Sequence, residues 1–593
     1  MVRSFIMSMA VLTGVGLAAS IVPAAQAQTQ ARDDTAFNAL MAEYERFDRE
    51  ADPITAGFEG DREALRRLPD VSFTTQAQQA RTLADLQRRI EAVEASQLSP
   101  EAALNRGFVL RLIGEKIESI QFDEARVIFY NDSGFYNSAD YLGLTTPIRS
   151  REDAEAWIAR LTALPAYYQQ NLDNGRRAIA TRFTQPRVVY NAALAAAQAQ
   201  VAVPIEESPL LAPFADLPET IPAEAQADYR ARALALIRDQ IRPQQQAYIQ
   251  FLQQEYEPAL RPQLGIRSLP NGAAYYRYLV RLHTTTDMTP EQIHRLGEQE
   301  VARIRADMEE VIEETGFQGS FAEFLNFLRT DPQFYTTTRE DLLEKASEIA
   351  KRADDQLPRI FGMLPRLPYG VRPVPPEMEE GYTTARYFPG SPALGQAGGL
   401  IVNTSHLDQR PLYEFPALML HEGVPGHHLQ IALSQELEGI PSFRRNALMT
   451  AYVEGWGLYA ESLGEEMGMY RTPYERFGQL SMEMWRACRL VADTGIHWMG
   501  WSLDRARRCF DENSALAPHN ITTELERYVA WPGQALAYKI GELTLQRLRR
   551  EAQTALDDRF DIRAFHDVVL GAGPLPMNVL EERVRAWVRS QEN

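Results

Sequence analysis

Apolar side chains recur at spacings of three and four residues along most of the chain, which is the pattern of amphipathic helices. Residues 75–96 show it among Gln, Arg and Glu, and residues 223–255 form a long helix candidate. Two short runs in a Pro- and Gly-rich part of the chain, residues 382–388 and 398–404, indicate strands instead. We therefore predict a mainly α fold with a small β-sheet.

The N-terminus has the features of a secretory signal peptide over residues 1–27. Arg3 precedes an apolar run at 5–22, and Ala-Gln-Ala at 25–27 is a cleavage sequence. We expect an exported protein, periplasmic in a Gram-negative source and otherwise secreted. No cysteine lies near the cleavage site, and no later apolar run is long enough to span a bilayer, so no membrane anchor is predicted.

The remainder divides into a helical region at residues 28–262 and a second region at residues 263–593. The pattern changes near this boundary, where a Pro-Asn-Gly turn precedes an aromatic helix. Thr289 and Pro290, with Gln292 to close a capping box, predict the start of the next helix. The two regions could also form one continuous domain.

Three of the nine histidines fall within one short segment, as His421, His427 and His428. Glu422 follows the first of them directly. Neutral imidazoles bind zinc, and a carboxylate beside a ligand can take a proton from the attacking water. This segment therefore indicates a zinc hydrolase.

The spacing of these histidines departs from the usual one helical turn. The residue four after His421 is Pro425, which cannot bind metal and disfavours a helical residue before it. We predict that the helix bulges or breaks at Pro425 and Gly426, which would bring His427 to the position of the second ligand. His428 remains an alternative ligand or a residue that supports one.

Glu454 is the candidate third ligand. It lies among Tyr, Val and Trp, and a carboxylate in such surroundings usually has a partner. Glu461 is seven residues further along the same predicted helix and shares its face. Two histidines and one glutamate form a common catalytic zinc shell that leaves a position for water.

Four motifs in order carry a resemblance to a known family: HEGVPGHHLQ, AYVEGWGLYAE, RACRLVADTGIHWMGWS and RYVAWPGQALAYKIGE. Together they resemble a bacterial family of exported proteins catalogued as a domain of unknown function. Its layout is similar to that of zinc peptidases whose third ligand is a downstream Glu, including the thimet-oligopeptidase-like and carboxypeptidase-Taq-like groups. The Gly-His at Gly426 and His427 matches the peptidase motif, although two extra residues precede it.

The resemblance implies a large helical metallopeptidase-like fold with a deep cleft. It implies one Zn²⁺ per chain, held by His421, His427 and Glu454, with Glu422 as the general base. A tyrosine hydroxyl commonly stabilises the oxyanion in such enzymes, and Tyr528 and Tyr538 are the candidates. His497 could serve the same purpose, or it could form a buried structural pair with Asp493 one turn earlier.

The predicted strands precede the metal-binding helix. In peptidases of this layout, an edge strand beside that helix binds the substrate backbone by strand addition, whereas a plain structural hairpin would serve packing alone. We expect the small sheet to lie beside the helix that carries His421, and both interpretations of it stay open.

The formal charge of −19, from 80 acidic and 61 basic residues, argues against nucleic acid as a partner. Cys488 and Cys509 are too few for a disulfide scaffold. We expect them to be buried free thiols, although an exported protein permits one bridge.

The sequence therefore predicts a metallopeptidase that acts on a short peptide. One alternative is a hydrolase of a small non-peptide amide or ester that uses the same residues. The other is a metal-free exported binding protein on the same scaffold.

Overall fold

The structure is a computed structural model, and it describes residues 24–131, 133–375, 379, 382–392 and 395–592, with side chains from residue 34 onward. The predicted signal peptide at residues 1–27 lies outside the described residues, apart from its end in the first helix. None of the helices in the described part of the chain combines the length and the hydrophobicity that a membrane span requires.

Helices make up nearly all of the N-terminal region, as its repeating three- and four-residue pattern predicts. They are α1 (Ala24–Ala51), α2 (Pro53–Phe58), α3 (Phe73–Glu91), α4 (Pro100–Phe122), α5 (Phe135–Thr145), α6 (Arg151–Ala180), α7 (Arg187–Ala202), α8 (Ala223–Leu236) and α9 (Arg242–Phe251). Two π-helical segments, Ile237–Ile241 and Leu252–Tyr256, continue α8 and α9. The long helix predicted at residues 223–255 is therefore confirmed.

Four helices lead from this region to the sheet: α10 (Gly272–Thr284), α11 (Pro290–Thr315), α12 (Phe321–Thr330) and α13 (Arg339–Ile360). The start of α11 is the predicted one. The Thr289 hydroxyl accepts from the backbone N–H of Gln292, and the Gln292 side chain accepts from the backbone N–H of Thr289. The two bonds satisfy backbone donors that a helix end leaves free.

A three-stranded sheet follows, formed by β1 (Tyr369–Pro373), β2 (Ala385–Phe388) and β3 (Gly398–Val402). β3 is central, parallel to β1 and antiparallel to β2. The strands predicted at 382–388 and 398–404 correspond to β2 and β3, with shorter bounds. β1 was not predicted, because it lies within the Pro- and Gly-rich stretch that indicates a loop.

The C-terminal helices are α14 (Phe415–Glu422), α15 (His427–Glu436), α16 (Ser442–Arg445), α17 (Thr450–Leu463), α18 (Pro473–His497), α19 (Leu503–Asn513), α20 (Pro518–Ala530), α21 (Ala537–Leu556), α22 (Ile562–Leu570) and α23 (Met577–Glu592). α14, α15, α17 and α21 carry the metal-site candidates. The predicted fold class, mainly α with a small sheet beside the metal helix, is confirmed.

The main hydrophobic core runs through both regions of the chain. It joins Phe37 of α1 and Trp157 of α6 to Trp456 of α17 and Val584 of α23. One face of the sheet packs into this core through Leu400. The opposite face borders a large cavity that the N-terminal helices α2, α5 and α6 close.

The two cysteines form a disulfide between Cys488 of α18 and Cys509 of α19. The expectation of free thiols was wrong. The residues are 21 apart in sequence, but α18 and α19 form an antiparallel pair that brings them to a Cα–Cα distance of 5.7 Å. Sequence spacing alone does not reveal this packing.

Candidate metal centre

The helix that carries the first histidine breaks directly after it, as predicted. α14 ends at Glu422, and α15 begins at His427. In the break, the backbone N–H of Gly426 donates to the carbonyl of Leu420, at 2.9 Å. A Cβ at Gly426 would lie 2.0 Å from the carbonyl oxygen of His421, so only glycine permits this turn.

The break brings three predicted ligands together. His421 Nε2 lies 3.7 Å from Glu454 Oε2, and His427 Nε2 lies 3.5 Å from the same oxygen. The ligand atoms of all three side chains fall within 4.8 Å of one another. Two imidazole nitrogens and a carboxylate oxygen at this separation form the donor set that zinc prefers.

The electrostatics of the cluster favour a positive charge. Burial lowers the pKa of His421, but the carboxylates of Glu454 and Glu461 outweigh it and raise the pKa to about 9. Burial opposes ionisation of Glu454, yet its bonds to His421 and His427 hold its pKa well below the usual value. The carboxylates that stabilise a proton on His421 would also stabilise a bound divalent cation.

Glu461 orients the first histidine. Its Oε1 accepts from His421 Nδ1 at 2.7 Å, and its side chain is fully buried on α17, two turns after Glu454. The bond places the proton on Nδ1 and leaves the Nε2 lone pair directed at Glu454. This role of Glu461 was not predicted from the sequence, although its seven-residue spacing from Glu454 on one helix face was the available signal.

α17 approaches His421 closely because it has no side chain at Gly457. A Cβ at that position would lie 2.7 Å from His421 Cε1. The neighbouring Trp456 donates its indole N–H to the carbonyl of Pro425 at 2.8 Å, which fixes the break between α14 and α15. One turn of α17 therefore supports both the ring and the turn that presents the second histidine.

Glu422 lies at the end of α14 and is half-buried. Its Oε2 accepts from the backbone N–H of Tyr387 at 2.8 Å. β2 is an edge strand, so this N–H is free of sheet pairing. The candidate base thus lies between α14 and the edge of the sheet. This agrees with the prediction that the sheet lies beside the helix that carries His421.

His428 lies against the sheet and outside the cluster. Its Nδ1 bonds to the hydroxyl of Tyr387 at 2.9 Å, and its ring lies 4.5 Å from that of Tyr369. Burial lowers its pKa to about 4. The geometry therefore favours His427 over His428 as the second ligand.

The two candidate tyrosines differ in position. The ring of Tyr538 stacks near that of His421, with centroids 6.4 Å apart, and burial and the charge of Glu454 raise its pKa. The hydroxyl of Tyr528 instead accepts from Trp485 Nε1 and Arg489 Nε, at 3.0 and 2.9 Å, and is completely buried. The structure brings Tyr538 to the cluster and assigns Tyr528 to packing.

His497 has both ring nitrogens engaged with backbone. Nδ1 accepts from the N–H of Ile266 at 3.2 Å, and Nε2 lies 2.8 Å from the carbonyl of Tyr528. Burial lowers its pKa to about 3. A role at the oxyanion does not fit these contacts. The alternative, a buried pair between His497 and Asp493, is not formed, because Asp493 accepts hydrogen bonds from Tyr276 and Gly533.

Residues 53–584 match a family described as "Bacterial protein of unknown function (DUF885)". The chain belongs to this family. No curated protein matches it.

Several solved structures are similar to this chain. A "putative lipoprotein from Colwellia psychrerythraea" is 25% identical, with a TM-score of 0.88 over 94% of this chain and 99% of that one. A "putative lipoprotein of unknown function" from Shewanella oneidensis is 18% identical, with a TM-score of 0.67 over 93% and 99%. The second likeness concerns the fold alone.

Proposed function

We propose that the protein is an exported zinc-dependent hydrolase, and specifically a metallopeptidase that cleaves short peptides. The observation that carries the proposal is the convergence of His421, His427 and Glu454 beside Glu422. The histidine and glutamate donors come from three helices, and the base follows the first ligand in the chain. A binding protein without chemistry has no need of this combination.

One zinc ion per chain fits the donor set. His421 and His427 would hold it through Nε2, and Glu454 through its carboxylate. The hydrogen bond from His421 Nδ1 to Glu461 leaves the required lone pair available. When bound, Zn²⁺ acts as a Lewis acid and lowers the pKa of water toward neutrality.

The chain's own residues would then move the protons. Glu422 would accept a proton from the attacking water and return it to the leaving amine. The N–H of Tyr387 holds this carboxylate in place. Tyr538, the candidate tyrosine at the cluster, would donate to the oxyanion.

The similarity in layout to zinc peptidases with a downstream glutamate ligand supports peptides as substrates. The signal-peptide pattern at residues 1–27 supports export, as does the likeness to structures described as lipoproteins. The same residues would serve a hydrolase of small amides or esters, so the substrate class needs its own test.

That test compares zinc-loaded wild type with Glu422→Gln on a panel of short peptides, small amides and esters. We expect peptide hydrolysis, reduced about 100-fold or more in Glu422→Gln because the general base is lost. Glu438→Gln, an exposed carboxylate after α15, is the control and should retain full activity. Cleavage of amides or esters without peptides would favour the alternative hydrolase, and undiminished activity in Glu422→Gln would refute the assigned base.

A further inference from the structure

A cavity of about 2080 Å³ lies between the N-terminal helices α2, α5 and α6 and one face of the sheet. Sites for small ligands typically enclose about 300–1,000 Å³, so this space suits a larger, extended molecule. The described residues that line it do not include the metal-centre candidates. It lies beside them.

The sheet joins this cavity to the metal centre. Phe388 of β2 lines the cavity, and Tyr387, the residue before it, donates its N–H to Glu422. Successive side chains of a strand point to opposite faces. The cavity wall and the contact to the candidate base are therefore one residue apart on β2.

Large apolar groups are exposed within the cavity. Phe58, Tyr141 and Leu144 are each nearly half accessible, at 47%, 46% and 49%. The ring of Tyr141 stacks on that of Phe388, with centroids 6.2 Å apart, across the gap between α5 and β2. Exposed apolar surface of this kind favours a ligand with apolar side chains.

The lining also carries an exposed cation whose charge no carboxylate of the described residues balances, whereas the buried Arg160 donates to two backbone carbonyls. Arg62 pairs with Glu152 and Asp153, at 3.1 and 2.8 Å. Arg372 of β1 is exposed and has no carboxylate partner in the part of the chain that the structure describes. Its guanidinium lies on the sheet surface over the strand glycines. In a chain with a net charge of −19, this is a local preference for an anion.

We propose that this cavity binds an apolar peptide through a carboxylate held by Arg372. The carboxylate could belong to the C-terminus or to an acidic side chain, and both present the same planar pair of oxygens to a guanidinium. Accessible polar groups of the lining, such as those of Gln396 and Thr146, favour a peptide over an acyl chain. The inference rests on the proposed function, since it names the substrate of the same centre.

The experiment measures binding to the full mature chain with Glu422→Gln, so that turnover does not interfere. Calorimetry compares an aromatic hexapeptide with a free C-terminus, its C-terminal amide, and the amide with one internal Gln changed to Glu. Each is repeated with Arg372→Gln added, and with Arg359→Gln as the control. Arg359 is an exposed arginine of α13 that bonds only to Gln356 among the contacts of the described chain.

We expect at least one carboxylate-bearing peptide to bind about 10-fold more tightly than the neutral amide. Arg372→Gln should abolish the difference, and Arg359→Gln should keep it. Preference for the free C-terminus or for internal Glu identifies the source of the carboxylate. Circular dichroism shows whether Arg372→Gln is folded, and Arg372→Lys, which keeps the charge, should retain part of the preference.

Equal binding of acid and amide would overturn the inference. So would a preference that survives Arg372→Gln, an absence of peptide binding, or binding of a fatty acid, titrated in parallel, when none of the peptides binds. Charge-selective binding in a chain that proves unable to hydrolyse peptides would refute the proposed activity and leave the cavity assignment intact. Peptide hydrolysis without Arg372-dependent binding would support the proposed activity and refute the cavity assignment.

Discussion

At the scale of single residues, the metal centre depends on which nitrogen of each imidazole is free. His421 donates its Nδ1 proton to Glu461 and directs Nε2 at Glu454. His427 also directs Nε2 at Glu454, whereas His428 bonds to Tyr387. The hydrogen bonds around these side chains thus favour His421 and His427 as the candidate ligands. Composition alone does not distinguish His427 from His428.

Glu461→Gln tests the orientation of His421. The amide keeps an acceptor but removes the buried negative charge that makes His421 a better ligand, so zinc affinity should fall about 10- to 100-fold. Competition with a chelator measures the dissociation constant. Glu465→Gln, an exposed residue just beyond the same helix, is the matched control and should bind zinc as wild type does. Unchanged affinity in Glu461→Gln would contradict the role of this bond.

The two tyrosines provide a second comparison at this scale. Tyr538→Phe should lower kcat about 100-fold with little change in KM, because the lost hydroxyl acts on the oxyanion. Tyr528→Phe should instead lower the free energy of unfolding by about 1–3 kcal/mol, since Arg489 and Trp485 lose a buried acceptor. Kinetics and denaturant unfolding of both variants separate the roles. A loss of kcat confined to Tyr528→Phe would reverse the assignment.

At the scale of elements, much of the architecture was predictable because it is local. The capping box of α11 and the break at Pro425 follow from the chemistry of a few neighbouring residues. β1 and the contacts of His497 were not predictable, because they depend on distant partners. β1 forms only by pairing with β3, and His497 is held by Ile266 and Tyr528. Long-range pairing of this kind has no signature in local spacing.

The disulfide between α18 and α19 gives a prediction for these elements. Replacing both Cys488 and Cys509 with alanine, or reducing the bond, should lower the free energy of unfolding by about 3 kcal/mol, as expected for a closed loop of this length. Denaturant unfolding with and without reductant measures the change. Thiol titration of the unfolded, unreduced protein should find no free cysteine, and two reactive thiols per chain would refute the bridge.

At the scale of the whole molecule, the sheet lies between the candidate metal centre and the large cavity and contacts both. Glu422 bonds to the edge of β2, one face of the sheet lines the cavity, and the N-terminal helices close that cavity. The deep cleft implied by the family resemblance stays a prediction. The lining of the cavity could not be predicted from the sequence, because it combines residues from α2 to β3 that are distant in the chain.

Stability should depend on pH through Asp493, which is completely buried between α10, α18 and the turn before α21. Burial raises its pKa from 3.8 to about 7. Between these values the folded chain retains a proton that the unfolded chain has lost. Stability contributed by this group therefore falls as pH rises from about 4 to about 7, by up to about 1.4 kcal/mol per pH unit.

Asp493→Asn mimics the protonated acid and removes this titration. The variant should lose less stability than wild type between about pH 4 and pH 7, as seen in denaturant unfolding at a series of pH values. Parallel profiles for the two proteins would show that Asp493 does not titrate in this range.

The most direct test of the central claim is elemental metal analysis of the mature protein, its His421→Ala, His427→Ala and His428→Ala variants, and Glu422→Gln. We expect about one zinc per chain in wild type, His428→Ala and Glu422→Gln, and loss of zinc in His421→Ala and His427→Ala, since only these two side chains direct Nε2 at Glu454. A wild-type protein that holds no zinc, even after zinc is added, would contradict the account.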